Sequence, residues 1–296
     1  MKVKPLFSDS LGVRSMATYV ETPGCKILID PSAALGPVRY GLPPSPEEFE
    51  ALQNAKQEIH KIAKECDVLT ISHYHYDHYD PTENFYAGKT VYAKDIRASI
   101  NKSQAHRGKD FELLVKEKCN LIYSDGREFQ HGKTKIKFSM PTPHGPAGIV
   151  LGYVLMTIIE SGGKKVLHAS DAQGPVVAEA AEYIIKENPD VLIIDGPPTL
   201  FLGWKFSMKN LEDAQDNMLR IIKETSAEII LDHHLLRDLK YKERFAKVYA
   251  TGRPKTFAEY AGKENTMLEA HRKELWAKIQ NRDEMLEKMR TAAGEE

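Results

Sequence analysis

Four side chains that can bind a metal stand close together after an apolar segment near residue 70. The segment 67–71 is short and rich in β-branched residues, which predicts a buried strand. His73, His75, Asp77 and His78 follow it directly. On an extended chain His73 and His75 point the same way and can bind one ion, while Asp77 and His78 turn towards a second. The alternative is a histidine-rich surface turn without metal.

Short segments with strand character recur along the chain, with helical segments between several of them. Strands are predicted at 26–30, 67–71, 120–123, 135–140, 153–159, 165–169, 191–194 and 228–231. Helices are predicted at 175–187, at 207–224 and after Ser45, where Ser45, Pro46 and Glu48 form a capping box. Because several strands follow one another directly, we expect an α/β (α+β) fold with mixed sheets packed against helices.

The C-terminal part predicts a long charged helix over 263–290 with a narrow apolar seam. We therefore expect a main domain at 1–262 and a helical extension at 263–296. Packing of the extension on its own domain is the favoured interpretation. A contact in a homo-oligomer or a lid over the site are the alternatives.

Composition and charge exclude several classes of protein. The net charge is −1, so the chain lacks the basic surface that is typical of nucleic-acid binders. Three cysteines far apart in the sequence argue against a disulfide framework and favour a reducing compartment. The longest apolar run, residues 147–159, is shorter than the ~20 residues that a membrane-spanning helix needs. We expect a cytoplasmic protein without a membrane partner.

The pattern His-x-His-x-Asp-His after a strand resembles the signature of the metallo-β-lactamase superfamily, where it is the second of five motifs. The other four have matches in the same order: Asp30, His144, Asp171, and a histidine at 233 or 234. The resemblance spans residues 1 to about 250, and within the superfamily the chain looks like an archaeal branch of predicted metal-dependent hydrolases. It implies a four-layer αββα sandwich, here followed by a C-terminal helix. Asp30-Pro31 stands where the family commonly has Asp-Gly, so the conformation of that turn stays open.

The resemblance also implies a dinuclear metal site at one edge of the sandwich. The implied ligands are His73, His75 and His144 for the first ion, Asp77, His78 and His233 for the second, and Asp171 as the bridge. Asp30 orients the histidine loop and is not a ligand. We prefer His233 to His234 because it comes first after the strand and alternation allows only one of them to face the site. We expect two divalent ions, zinc before iron or manganese.

Three further residues are candidates for contacts around the metals. Asp195 ends a predicted strand and either supports the ligands or shapes a turn. Tyr76 either donates to a substrate oxygen or packs within the loop. Arg237 follows the fifth motif, so it either contacts an anionic substrate or belongs to a solvated helical face.

The leading functional hypothesis is an enzyme, a hydrolase that acts on a small-molecule ester, lactone, thioester or phosphodiester. In it, Asp77 and Asp171 are the carboxylates at the centre of the reaction. A nuclease of the same superfamily is an alternative, although the interval from Asp171 to His233 is too short for the large insertion of RNA-processing members. A non-hydrolytic di-iron or metal-binding protein is another. Redox relatives carry Glu where this chain has His75, which favours hydrolysis.

Overall fold

Two β-sheets packed face to face form the centre of the computed structural model, which describes residues 1–148 and 151–287. In the first sheet the strands lie side by side in chain order. They are β1 (Lys2–Pro5), β2 (Thr18–Thr22), β3 (Cys25–Ile29), β4 (Val68–Ile71), β5 (Thr90–Ala93) and β6 (Asn120–Tyr123). The pairs from β1 to β3 are antiparallel and the pairs from β3 to β6 are parallel. The parallel half therefore ends its strands at one common edge.

The second sheet has the order β15-β14-β13-β12-β11-β8-β7, and a separate ribbon pairs β9 with β10. The pairs from β12 to β15 are parallel, and the remaining pairs are antiparallel. These strands are β7 (Glu128–His131), β8 (Thr134–Phe138), β9 (Thr142–Pro143), β10 (Tyr153–Val154), β11 (Thr157–Ser161), β12 (Lys164–His168), β13 (Val191–Asp195), β14 (Glu228–Asp232) and β15 (Pro254–Lys255).

The long helices, of 10 to 20 residues, cover the outer faces of the two sheets, and the other helices have four to six residues. The helices are α1 (Pro46–Glu65), α2 (Lys102–Val115), α3 (Ala178–Glu187), α4 (Met208–Glu224), α5 (Tyr241–Arg244), α6 (Ala246–Tyr249), α7 (Phe257–Tyr260) and α8 (Arg272–Ala277). The predicted capping box at the start of α1 is present, because Ser45 Oγ accepts from Glu48 N and Glu48 Oε2 accepts from Ser45 N. In the part of the chain that the structure describes, no helix is both long and apolar enough to cross a bilayer.

Alternation along the strands separates the inner and outer layers of the core. In β3, Ile27 packs between the sheets with Ile136 of β8, whereas Leu28 faces outwards and belongs to the cluster that holds Ile59 of α1 and Phe111 of α2. Helices α3 and α4 cover the second sheet in the same way. Burying each of these large apolar side chains contributes about 1.5–3 kcal/mol. The predicted four-layer αββα sandwich is confirmed.

Two predicted elements differ from the structure. The strand predicted at 153–159 is divided between β10 and β11, because Leu155 N donates to Ser72 O and Met156 N donates to Ser139 Oγ. The long helix predicted at 263–290 is wrong over most of its described length. Only Arg272–Ala277 and residues 282–287 are helical, and residues 288–290 lie outside the described part.

Tertiary contacts explain why the C-terminal segment is not one helix. Arg272 is fully buried and donates to Glu48 at the start of α1, and Trp276 Nε1 donates to Pro43 O. Thr266 N donates to Ser10 O, and Met267 takes a positive φ of 37°. The segment follows the surface of its own chain, so packing overrides helix propensity.

Candidate metal centre

Polar side chains from both sheets meet where the parallel strands end. Asp30 follows β3, and the histidine loop 73–78 follows β4. From the second sheet, Asp171 follows β12 and His233 follows β14, while His144 comes after the short strand β9. Because the carboxyl ends of parallel strands share an edge, residues far apart in sequence are neighbours here.

The first ligand group brings together His73, His75, His144 and Asp171, whose potential ligand atoms lie within 4.8 Å of one another. His73 Nε2 is 2.9 Å from His75 Nδ1 and 3.5 Å from Asp171 Oδ2. His144 Nε2 is 3.0 Å from the same Asp171 oxygen. Three imidazoles and one carboxylate oxygen thus surround one point, which is a donor set typical of zinc and similar ions.

The second ligand group consists of Asp77, His78 and His233. His233 Nε2 is 3.6 Å from Asp77 Oδ2, and His78 Nε2 is 3.9 Å from Asp77 Oδ1. Asp171 Oδ1 faces this group, at 3.2 Å from His78 Nε2 and 3.7 Å from His233 Nε2. Asp171 therefore presents one oxygen to each group.

Buried polar atoms without partners show that these residues fit a pair of cations. His78 Nε2, His144 Nε2 and Asp171 Oδ1 are buried. The two nitrogens lie 3.2 Å and 3.0 Å from Asp171 oxygens, but none of the three atoms makes a well-directed hydrogen bond within residues 1–148 and 151–287. An unpaired polar atom in a protein interior costs about 1–3 kcal/mol. All three atoms point into the two ligand groups, so bound cations would supply the missing partners.

Burial keeps three of the imidazoles neutral. It lowers the pKa of His73 and of His234 well below the usual value, and it lowers the pKa of His75 to about 3. A neutral imidazole has a free nitrogen lone pair, which is the form that binds a metal.

The acids and histidines around the second ligand group shift one another's pKa values. Burial opposes a charge on His78, but the carboxylates of Asp171 and Asp77 outweigh it and raise its pKa well above the usual value. His233 is raised to a pKa of about 9, since Asp171 and Asp9 outweigh its burial and the charge of Arg237. Burial would raise the pKa of Asp77 and Asp171, yet His78 and His233 lower both. The site thus favours positive charge where the second ion would lie.

Asp30 orients the histidine loop from a fully buried position. It accepts hydrogen bonds from Ser72 N (2.8 Å), Ser72 Oγ (2.7 Å) and His78 Nδ1 (2.9 Å). The bond to Nδ1 leaves His78 Nε2 directed at the ligands. Among the described residues, Asp30 belongs to neither ligand group.

Gln173 and Asp9 are among the residues that support the ligands and were missed by the sequence analysis. Gln173 Nε2 lies 3.4 Å from His144 Nδ1, and Asp9 Oδ2 lies 2.9 Å from His233 Nδ1. Asp9 is more than 200 residues from its partner, in a segment without strand or helix signals. Nothing in the local sequence could have identified it.

Both His233 and His234 lie at the site, so the expectation that only one could face it is wrong. Strand β14 ends at Asp232, and His233 takes a left-handed φ of 61°, which ends the alternation. His233 Nε2 joins the second ligand group. The ring of His234 lies 4.5 Å from that of His233, and His234 Nδ1 is 2.8 Å from Asp195 Oδ2. Burial and the charge of Asp171 raise the pKa of Asp195 well above its usual value.

Arg237 does not have the exposed position that contact with an anionic substrate requires. It is 5% exposed, and its Nε donates to Asp9 Oδ1 at 2.9 Å. Its neighbours are His233 and Asp77, so it packs behind the second ligand group. Tyr76 of the histidine loop, by contrast, is 54% exposed and stacks on Tyr79.

Comparison with known proteins gives the family of this chain. The family model for the beta-lactamase superfamily domain matches residues 14–234, which contain the site residues from Asp30 to His234. The chain belongs to the beta-lactamase superfamily. It is 45% identical over 290 residues to a UPF0282 protein of Methanopyrus kandleri, covering 93% of this chain and 99% of that protein. A UPF0282 protein of Methanocaldococcus jannaschii is 46% identical over 288 residues, covering 93% and 96%.

A solved structure agrees with the fold. The isothiocyanate hydrolase from Delia radicum gut bacteria superimposes with a TM-score of 0.52 at 18% identity, covering 82% of this chain and 94% of that one. At this identity the likeness shows the shared αββα fold alone. Members of this superfamily are mostly metal-dependent hydrolases, and this chain has a His/Asp cluster that could bind a metal.

Proposed function

We propose that the protein is a hydrolase that binds two divalent metal ions, zinc before iron or manganese, and cleaves a small-molecule substrate. The observation that carries the proposal is the position of Asp171 between the two ligand groups, with one oxygen facing each. Its Oδ1 is buried without a hydrogen-bond partner in the described part of the chain. A carboxylate in this position suits a bridge between two cations.

When bound, a pair of divalent cations activates water at neutral pH and attracts the negative charge that develops on the substrate. The protein supplies the geometry. His73, His144 and His78 are buried, and hydrogen bonds from His73 Nδ1 to Ser72 and from His78 Nδ1 to Asp30 orient two of these rings. Asp30 accepts two hydrogen bonds from Ser72 and thereby holds the start of the histidine loop in place. This preorganisation is what a metal-dependent hydrolase requires.

The open side of the centre supports a substrate of small size. His75, Asp77 and His234 are the ligand-region side chains that reach solvent, and Asp77 and His234 are only 16% and 13% exposed. Tyr76 stands at the same opening. We propose an ester, lactone, thioester or phosphodiester as the substrate class. The net charge of −1 supports a small molecule rather than a nucleic acid.

The test is a panel of model esters, lactones, thioesters and phosphodiesters with metal-supplemented protein. We expect turnover of at least one substrate, reduced about 100-fold or more in His75→Ala, because one ligand of the first ion is removed. His106→Ala is the matched control. His106 is an exposed histidine on α2, so this variant should retain full activity. Absence of turnover across the panel, or full activity of His75→Ala, would overturn the proposal. Cleavage of RNA or DNA that is lost in His75→Ala would instead support a nuclease.

A further inference from the structure

Asp9 lies behind His233, on the side away from the ligand groups. Its Oδ2 is 2.9 Å from His233 Nδ1, and both side chains are buried. The other ring nitrogen, Nε2, faces Asp77 Oδ2 at 3.6 Å and Asp171 Oδ1 at 3.7 Å. A proton shared between Nδ1 and Asp9 leaves the Nε2 lone pair directed at the second metal position.

Arg237 completes the surroundings of Asp9. Arg237 Nε donates to Asp9 Oδ1 at 2.9 Å, so each oxygen of Asp9 serves a different partner. Arg237 Nη2 is 3.4 Å from His233 Nδ1 and 3.1 Å from Nε2. An atom almost equally far from both nitrogens lies over the face of the ring and not in line with either lone pair. Arg237 therefore balances the charge of Asp9 without occupying the metal-facing lone pair.

A second acid fixes the contact between Asp9 and His233. Asp232 accepts hydrogen bonds from three backbone amides, those of Ser10 (3.1 Å), His233 (2.7 Å) and Phe257 (2.7 Å). The 3₁₀ turn Asp9–Leu11 and the turn that begins at His233 are thus joined through one buried carboxylate. The position of Asp9 follows from this junction.

We propose that Asp9 is a positioning residue that fixes the tautomer and ring orientation of His233 for the second metal ion. It lies outside the five motifs of the resemblance and outside the family match, which begins at residue 14. The inference rests on the proposed function, because it assigns a role towards the second ion of that centre. It predicts that the N-terminal turn of the chain is required for metal binding.

The test measures zinc affinity by competition with a chromophoric chelator in wild-type protein and in Asp9→Asn. Asparagine has one oxygen, so either His233 Nδ1 or Arg237 Nε loses its acceptor. We expect wild-type protein to bind two zinc ions, and Asp9→Asn to keep the first and bind the second about 10- to 100-fold more weakly. Asp125→Asn is the matched control, because Asp125 is a mostly buried acid that pairs with Lys94. This variant should bind zinc as tightly as wild-type protein.

A double variant separates positioning through His233 from general damage. If Asp9 acts through His233, adding Asp9→Asn to His233→Ala should cause no further loss of zinc affinity. An additional loss in the double variant, or two tightly bound ions in Asp9→Asn, would overturn the inference while leaving the proposed function intact. A wild-type protein that binds fewer than two ions would overturn both.

If Asp9→Asn does not fold, a spectroscopic measurement on wild-type protein tests whether His233 has the tautomer that Asp9 would fix. In zinc-loaded wild-type protein, ¹⁵N NMR of the imidazoles should show His233 protonated at Nδ1 and metal-bound at Nε2. Protonation at Nε2, or zinc at Nδ1, would contradict the assigned role of Asp9.

Discussion

Several residues of the candidate centre have backbone conformations that residues other than glycine rarely adopt. Asp30, Ser170, Gln173 and His233 have φ between 49° and 61°, in the left-handed region. Each such residue costs on the order of 1 kcal/mol, and these costs concentrate where strands end at the metal centre. The sharp turns let adjacent residues, such as His233 and His234, reach the same site.

The turn at Asp30 illustrates what the sequence could show at this scale. The motif identified Asp30 as the orienting acid, but the Asp30-Pro31 pair left the conformation of the turn undetermined. In the structure the left-handed conformation belongs to Asp30 itself, with φ of 49°. Hydrogen bonds from Ser72 and His78 hold it there. Those partners come from another strand, so the local sequence could not specify them.

Replacing Asp30 by asparagine tests this arrangement. The new side chain would place an NH₂ group against the donors Ser72 and His78, so we expect Asp30→Asn to lower the free energy of unfolding by about 1–3 kcal/mol. Zinc affinity should fall about 10- to 100-fold as His78 loses its orientation. Thermal unfolding with and without zinc measures both effects. Asp67→Asn is the control, since Asp67 is an exposed acid that accepts a hydrogen bond from Lys26 N. Equal losses of stability and zinc affinity in the two variants would contradict the role of Asp30.

At the scale of elements, the capping box predicted the start of α1, the helix predicted at 207–224 matches α4, and β-branched segments predicted most central strands. Helix α2 was not predicted, because Gly108 lies within it and weakens its helical signal. The structure explains this glycine: a Cβ there would lie 2.5 Å from Ile96 and 2.8 Å from Tyr74. Strand β7 was missed because its side chains are partly polar and partly exposed. Tertiary contacts define both elements.

The C-terminal segment gives a prediction at the same scale. Arg272 donates to both oxygens of Glu48, and both side chains are fully buried. Arg272→Met leaves the Glu48 carboxylate without its charge partner, so we expect a loss of about 3–5 kcal/mol in the free energy of unfolding. Chemical denaturation measures it.

Two further variants make this prediction specific. Lys273→Met, at an exposed neighbour that lies over Tyr40, should change stability little. Adding Glu48→Gln to Arg272→Met should recover part of the loss, because it removes the unpaired charge and keeps the capping side chain. If Arg272→Met were as stable as Lys273→Met, the segment would not be anchored by this pair.

At the scale of the whole molecule, the centre depends on the packing of the two sheets. The first sheet supplies Asp30 and the histidine loop, and the second supplies Asp171 and His233. The order of the motifs along the chain predicted which residues meet. The supporting contact from Asp9 comes from a distant part of the chain, and only the folded structure reveals it.

A buried charge cluster predicts how stability depends on pH. Glu269 pairs with Arg14 and Arg39. Burial would raise the pKa of Glu269, but the hydrogen bonds and charge of Arg14, with Arg237 and Arg39, lower it to about 2. A lowered pKa in the folded state means that the stabilisation is complete above the unfolded value near 4.5 and is lost as pH falls towards 2.

Glu269→Gln tests this dependence. The difference in unfolding free energy between wild-type protein and the variant should be largest above about pH 5 and should shrink by about 2–3 kcal/mol as pH falls to about 2. Urea denaturation across this range measures it. Glu274→Gln, at an exposed acid of the same segment, should show a difference that stays nearly constant. A constant difference for Glu269→Gln would contradict the assignment.

Anomalous diffraction from crystals of zinc-loaded protein tests the central claim most directly. The account predicts two zinc peaks per chain, about 3.5–4 Å apart, with Asp171 between them and His144 and His233 on opposite ions. A single peak, or zinc bound away from Asp171, would contradict the dinuclear centre.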